Sequence, residues 1–125
     1  MLRQSKPTES ELDILSILWK KKKATVREVH EELSLTKEAG YTTTLKLMQI
    51  MHEKEFLLRD DSNRSHIYSP AISQEQTQKQ FLDKMIHHLF AGSPANLVLQ
   101  TLGNSKPSQD ELEKIEQLIQ SMKQA

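Results

Sequence analysis

The stretch YTTTLKLMQIMHEKEFLLRDDSNRSHIY, residues 41–68, starts with helical spacing and finishes with strand spacing. At about 100° per residue, Thr44, Leu47, Met48 and Met51 share one helix face. Thr42, Lys46, Gln49 and Glu53 share the opposite face, which is small and polar with threonines crowding its N-terminal turn, and Thr43, Leu45 and Ile50 fall on the flanks. Phe56, Leu57 and Leu58 follow as an apolar extended run. Residues 60–63 read as a turn, and residues 65–69 return with Ile67 between His66 and Tyr68. An amphipathic helix running directly into a polar-tipped hairpin narrows the fold considerably.

Upstream, Thr8 and Glu11 form a capping box, a hydroxyl and a carboxylate satisfying each other's backbone N–H groups at a helix start. Leu12, Leu15 and Trp19, widened by Ile14 and Leu18, make the apolar stripe of that helix. Lys20 to Lys23 close it, where cations complement the exposed carbonyls; a solvated helix end explains this run better than a phosphate patch. Thr25 and Glu28 repeat the box, and Val26, Val29 and Leu33 recur at helical spacing. The segment SLTKEAG, residues 34–40, turns the chain, with Gly40 expected to supply a positive φ at the corner. Three short helices, a tight corner between the second and third, and a hairpin predict a winged helix-turn-helix over residues 1–70, in a mainly α fold.

Residues 71–125 read as helix only. Ser73 with Gln76 opens a helix through Phe81, Leu82, Met85, Ile86, Leu89 and Phe90, which Gly92 ends. Ser93 and Pro94 start another through Leu97, Val98, Leu99 and Leu102 to Gly103. Ser108 with Glu111 caps a last helix, whose Leu112, Ile115, Ile119 and Met122 fall at three- and four-residue steps, a seam of the coiled-coil type. So many apolar side chains in so short a segment are poorly buried by one copy, which predicts a helical dimerisation domain and a homodimer. The expected interface is Leu82, Ile86, Leu89, Leu112, Ile115, Ile119 and Met122.

Composition excludes several classes. The chain has 125 residues and no cysteine, so disulfides, thiolate catalysis and thiolate metal clusters are ruled out. Five scattered histidines, of which the adjacent His87 and His88 point apart on a helix, predict no metal site. No glycine-rich phosphate loop and no nucleophile–base pair argue for an enzyme or a cofactor. The first residues lack the apolar run of a leader, and no apolar stretch reaches the roughly 20 residues of a membrane span; the expectation is a cytoplasmic protein without membrane insertion. Lys plus Arg equals Asp plus Glu, 17 each, so bulk charge does not argue for nucleic acid.

Pattern does. In a helix-turn-helix with a wing, Thr42, Thr43 and Lys46, with Gln49 on the same outer surface, are placed to meet DNA bases. Threonine donates or accepts at base edges and touches the thymine methyl, and lysine serves guanine or phosphate; solvated helix surface is the bland alternative. Tyr41, at the entrance to this helix, either bonds a phosphate or packs against the second helix. Arg27, Arg64 and His66, with Arg59 a weaker candidate, are placed as phosphate contacts or are surface charges paired with a neighbouring carboxylate.

The segments PTESELDILSILW, TVREVHEEL, GYTTTLKLMQIMHEKEFLLRD, RSHIYSP, NLVLQTL and SQDELEKIEQLI together resemble the penicillinase-repressor family, the BlaI/MecI type of bacterial regulators, over nearly the whole chain. The resemblance implies a homodimeric repressor that occupies a palindromic operator in double-stranded DNA. It also implies release by proteolysis linked to a membrane-bound sensor metalloprotease, within the segment matching NLVLQTL. Three departures stand out. Lys54-Glu55-Phe56 replaces a Lys-Gly-hydrophobic sequence before the wing, so that corner is expected to form without positive φ. Gln100-Thr101 replaces the family's Asn-Phe cleavage pair, so cleavage is expected at a different bond or by a protease of different specificity. The paired cysteines of copper-responsive relatives are missing, which excludes copper sensing by that route. Neutral charge favours one alternative, a winged-helix module that binds protein without sequence-specific DNA binding.

Overall fold

The hydroxyl of Thr8 accepts from the Glu11 N–H at 3.2 Å, and the Glu11 carboxylate accepts from the Thr8 N–H at 2.8 Å. Helix α1 (Glu9–Lys21) therefore starts where its capping box requires. The protein is described by a computed structural model over residues 6–125. Residues 1–5, part of the stretch read as lacking a leader, lie outside the described residues. A two-residue strand β1 (Ala24–Thr25) follows α1, then α2 (Val26–Leu33), α3 (Tyr41–Glu53), β2 (Leu57–Asp60), β3 (Ile67–Pro70), α4 (Gln74–Leu89), α5 (Pro94–Asn104) and α6 (Gln109–Gln124). The chain divides into two compact units inside α4, the first ending at Gln78 and the second spanning Lys79–Ala125.

The first unit is a winged helix. Ile14, Leu15 and Leu18 of α1, Val29 of α2, Met48 and Met51 of α3, and Phe56, Leu57 and Tyr68 of the hairpin form one buried core. Each such side chain contributes roughly 1.5–3 kcal/mol of burial. Leu12, Trp19 and Leu47, expected on apolar faces, are half-buried at the margin of this core. The Trp19 indole N–H donates to the Ile72 carbonyl at 3.0 Å, and Thr77 is buried, so the start of α4 belongs to this unit. Expected as a two-stranded hairpin, the sheet has three antiparallel strands in the order β1-β3-β2, with Tyr68 opposite both Ala24 and Arg59. Strand β1 was not foreseen, because two residues carry no periodicity. The returning strand begins at Ile67, leaving Ser65 and His66 in the wing loop.

Two corners differ from expectation. Gly40 has φ −80° and is the extended N-cap of α3; the corner between α2 and α3 is made by residues 34–39 without a left-handed glycine. The strain falls instead on Glu55, whose φ is +70°. After the C-cap Lys54, the Phe56 N–H bonds the Met51 carbonyl at 2.9 Å and the Glu55 N–H bonds the His52 carbonyl at 3.0 Å. This is a Schellman motif, sealed by contact between the core residues Phe56 and Met51. A non-glycine residue in this position costs about 1 kcal/mol, which the buried Phe56 offsets.

The second unit packs loosely. Ser93 caps α5 ahead of Pro94, and Ser108 with Glu111 forms the expected box on α6. Gly92, with φ +79°, lies just past α4, whose last turn closes through the Phe90 and Gly92 N–H groups on the Ile86 carbonyl. Yet no residue of α5 or α6 is buried. Leu99 is 68% exposed, and Leu97 and Leu102, expected to be packed, are only half-buried.

The Glu11 carboxylate is almost fully buried and pairs with Lys54 Nζ at 2.7 Å. Lys54→Ala strands that carboxylate on the Thr8 N–H alone and is expected to cost about 3 kcal/mol. Glu11→Gln keeps an acceptor for Thr8 and leaves the partly exposed Lys54 to water, so it should cost about 1 kcal/mol. Urea denaturation of the two variants measures the difference, and equal losses would sink the assignment. Glu55→Gly relieves the left-handed backbone and should stabilise by about 1 kcal/mol. Thermal unfolding reads this directly, and a lowered midpoint would mean that the Glu55 side chain contributes more than its backbone costs.

Candidate nucleic-acid interface

Strand β1 and helix α2 meet at Thr25, which is both a ladder residue opposite Ile67 and the N-cap of α2. Its hydroxyl accepts from Glu28 N–H at 3.2 Å, and the Glu28 carboxylate accepts from Thr25 N–H at 2.8 Å. The first turn of α2 is thereby fixed to the wing. Arg27, one residue into that turn, is carried to the edge of α3, where its Cζ lies 5.6 Å from the centre of the Tyr41 ring. A guanidinium at this distance is attracted by the ring quadrupole and orients the ring in return. The His30 ring meets Tyr41 edge-on, also at 5.6 Å. Tyr41 thus rests against α2, the packing alternative expected for it, and stays 41% exposed.

His30 Nδ1 lies 3.3 Å from Thr44 Oγ1, which itself donates to the Gly40 carbonyl at 3.3 Å. With the threonine proton committed there, His30 Nδ1–H is the donor in this pair, and Ser34 Oγ at 3.4 Å faces Nε2. The bond ties α2 to the first turn of α3. Lys37, in the connecting turn, pairs with Asp13 of α1, and this hydrogen bond raises the lysine pKa above its ordinary value.

A groove of about 380 Å³ runs between the start of α2, the outer side of α3 and the wing loop. Arg27, Tyr41, Gln49, Arg64 and His66 all line it, together with Thr25, Leu45 and Ser65, which sequence reasoning had not singled out. Thr42 and Lys46 are exposed on α3 outside it. Thr43, also exposed, faces a second cleft of about 460 Å³ that includes Ser10, Asp13, Lys37 and Gly40. Thr43, on the flank of α3, thus borders a different cleft from the one that Gln49 lines. Among the described residues, no carboxylate lies within ion-pair distance of Arg27, Lys46 or Arg64.

The remaining basic side chains of the wing are engaged. Arg59 Nε is 2.8 Å from Asp61 Oδ1, and His66 Nδ1 is 3.5 Å from the same oxygen. The Tyr68 hydroxyl first, and the Asp61 carboxylate second, raise the Arg59 pKa above its ordinary value. Asp60 turns inward to the loop: its Oδ1 accepts from the Ser62 N–H at 3.0 Å and the Ser62 hydroxyl at 2.6 Å, which lowers its pKa. The signal for the Arg59–Asp61 pair was present in the sequence, since residues two apart in an extended chain share a side.

In the second unit, Leu82, Leu89, Leu112, Ile119 and Met122 are exposed, and Ile86 and Ile115 half-buried. A groove of about 450 Å³ between α5 and α6 includes Thr101, Leu102, Pro107 and Ile115. Gln100 and Thr101 are exposed on α5, with the Thr101 hydroxyl donating to the Leu97 carbonyl at 2.7 Å. Among the described residues no group of His, Asp or Glu side chains is arranged to hold a metal ion. No helix of the described residues is long and apolar enough to cross a membrane.

Residues 7–121 match the family model described as "Penicillinase repressor". The chain is 24% identical over 117 residues to the penicillinase repressor of Staphylococcus aureus, covering 94% of this chain and 93% of that one. It is 23% identical over 112 residues to the methicillin resistance regulatory protein MecI of Staphylococcus aureus (strain N315), covering 90% and 91%. The transcriptional regulator BlaI of Mycobacterium tuberculosis (strain H37Rv) is 29% identical over 77 residues, 61% of this chain and 56% of that one.

Proposed function

The chain belongs to the penicillinase-repressor family, and from that premise we propose that it is a homodimeric transcriptional repressor occupying a palindromic operator in double-stranded DNA. One observation carries the reading beyond membership. The outer side of α3 presents Thr42, Lys46 and Gln49 to solvent, with no acid in its first turn, beside a groove into which Arg27, Arg64 and His66 converge. An α-helix fits the major groove, and cations beside it meet the phosphates that flank that groove. Thr42, Thr43, Lys46 and Gln49 are assigned to base edges. Tyr41, Arg27, Arg64 and His66 are assigned to the backbone, Tyr41 through its hydroxyl while Arg27 steadies its ring.

The tail supplies the second half-site. A unit with no buried residue in α5 or α6, and with exposed Leu82, Leu89, Leu112, Ile119 and Met122, supports burial against a second copy through these residues with Ile86 and Ile115. Linking two weak half-site binders raises the effective concentration of the second, so cutting the link weakens binding by orders of magnitude. Release by proteolysis tied to a membrane-bound sensor metalloprotease is proposed on that ground, at Gln100-Thr101 or at another bond of the tail. The exposure of Leu99 supports it, because less packing has to open before a protease reaches α5. Zero net charge favours one competing reading, a protein-binding winged helix.

A gel shift on DNA from the chain's own promoter region, titrated with salt, separates the two readings. Thr43→Ala or Lys46→Ala should cost about 1–3 kcal/mol on the operator and little on scrambled DNA. Arg64→Ala should weaken both duplexes alike and reduce the salt slope by about one for each phosphate it no longer neutralises. Losses independent of sequence for Thr43→Ala and Lys46→Ala would reassign those residues to phosphates, and no shift at any salt would leave the protein-binding module standing. Sedimentation of the full chain at micromolar concentration should give a dimer, and a chain ending at Gln78 a folded monomer. Mass spectrometry of protein from induced cells should find fragments cut within the tail; intact chains alone in such cells would refute proteolytic release.

A further inference from the structure

The charged groups of the wing divide into those that are free and those that are held. Arg64 has no carboxylate within ion-pair distance among the described residues. Arg59, on the preceding strand, donates from Nη2 to Asp61 Oδ2 at 3.4 Å, and its buried Nε lies 2.8 Å from Asp61 Oδ1 as a charge contact outside hydrogen-bond geometry. His66 Nδ1, from the other side of the loop, lies 3.5 Å from the same Oδ1. Asp60 is committed elsewhere, to the N–H and hydroxyl of Ser62. Two carboxylates adjacent in sequence thus do different things, one shaping the loop and one occupying its cations.

A carboxylate facing a guanidinium with two oxygens presents the same acceptor geometry as a phosphate group. We infer that Asp61 acts as an internal phosphate mimic, holding Arg59 off the DNA backbone and so setting the sequence-independent share of the protein's affinity for DNA. The inference rests on the DNA-binding reading above and adds a residue to it that works by subtraction. Phosphate contacts supply most non-specific affinity, through the counterions that each cation displaces. A cation already paired with Asp61 gives up that partner before it takes a phosphate, and leaves a carboxylate facing the DNA. Both Asp61 and Arg59 reach solvent, so the pair is weak enough to exchange and the mask lowers affinity without abolishing it. Base-edge contacts on α3 are untouched, and binding to any sequence falls by the same factor.

The test compares Asp61→Asn, Asp60→Asn, Arg59→Gln and the Arg59→Gln/Asp61→Asn pair in the full chain. Fluorescence anisotropy follows binding to a duplex from the chain's own promoter region and to a scrambled duplex, across a salt series. Asparagine at 60 keeps the acceptor for Ser62, so Asp60→Asn removes a wing charge without opening the loop. Asp61→Asn should tighten both duplexes by about five- to tenfold per wing near 0.1 M salt and steepen the salt slope by about one per wing. Asp60→Asn should change either by less than about twofold, and in the Arg59→Gln background the Asp61→Asn gain should shrink to that level. Equal gains from the two aspartates, or a gain that survives Arg59→Gln, would mean bulk charge and overturn the mimic. So would weaker binding with a lowered melting temperature in Asp61→Asn, which would make the pair a strut of the wing. A wild-type chain that binds neither duplex overturns this inference together with the DNA-binding reading; one that binds while Asp61→Asn changes nothing overturns this inference alone.

Discussion

A single buried carboxylate sets the geometry of the winged-helix unit. Glu11 takes the Thr8 N–H on one oxygen and Lys54 Nζ on the other, with almost none of its surface left to water. A carboxylate is kept in such a place only when its hydrogen bonds are all made, so removing either partner is costly. Its position is double: third residue of the first helical turn of α1, and anchor for the C-cap of α3. The start of one helix is thereby fixed to the end of another, and the polar outer face of α3, with Thr42, Lys46 and Gln49, is left outside the core. Immediately after Lys54, the left-handed Glu55 redirects the chain into the wing. The orientation of α3 and the departure angle of the hairpin are consequences of the same few atoms.

The two units solve the burial problem differently. The first closes a core around Ile14, Leu15, Leu18, Met48, Met51 and Phe56, then latches the start of α4 through Trp19. The second has well-capped helices and no interior. Caps fix where helices begin, but most helical stability in proteins comes from packing an apolar face. A unit in that condition reaches stability by association, and its stability then depends on the concentration of its partner. On the reading proposed above, coupling such a tail to the winged-helix unit makes occupancy of a two-part site sensitive to whatever breaks the tail.

Electrostatics on this protein is local. A net charge of zero hides an uneven arrangement in which, among the described residues, Arg27, Lys46 and Arg64 have no carboxylate within ion-pair distance while Arg59 shares Asp61 with His66. Opposite charges close together cancel within a Debye length, about 8 Å at physiological salt, so an approaching polyanion responds to individual side chains rather than to the sum. A local pH-sensitive balance sits in the Asp60–Ser62 turn. That carboxylate's lowered pKa contributes stability above its unfolded pKa, which is lost as pH falls through the folded value.

Capping boxes at Thr8, Thr25 and Ser108, the apolar faces of α1 to α3 and the hairpin were legible in the sequence, because each is written in side chains within four residues of one another. So was the exposed face of α3 that carries Thr42, Lys46 and Gln49, since a helical face is a matter of spacing. Strand β1 was not, because a two-residue strand is created by the ladder that receives it and by nothing in its own composition. Neither was the left-handed Glu55: a glutamate there gives no local hint, and only the pull of Phe56 into the core forces it. Which side of α3 meets the groove that holds Arg27, Tyr41, Gln49, Arg64 and His66, and which borders the cleft at Thr43, depends on how α3 is set against α1 and α2. That setting is fixed by contacts such as His30 of α2 with Thr44 and Glu11 of α1 with Lys54, which join residues 14 and 43 positions apart. Local chemistry chose the elements, and the long-range pairing of buried polar groups chose which of their faces meet.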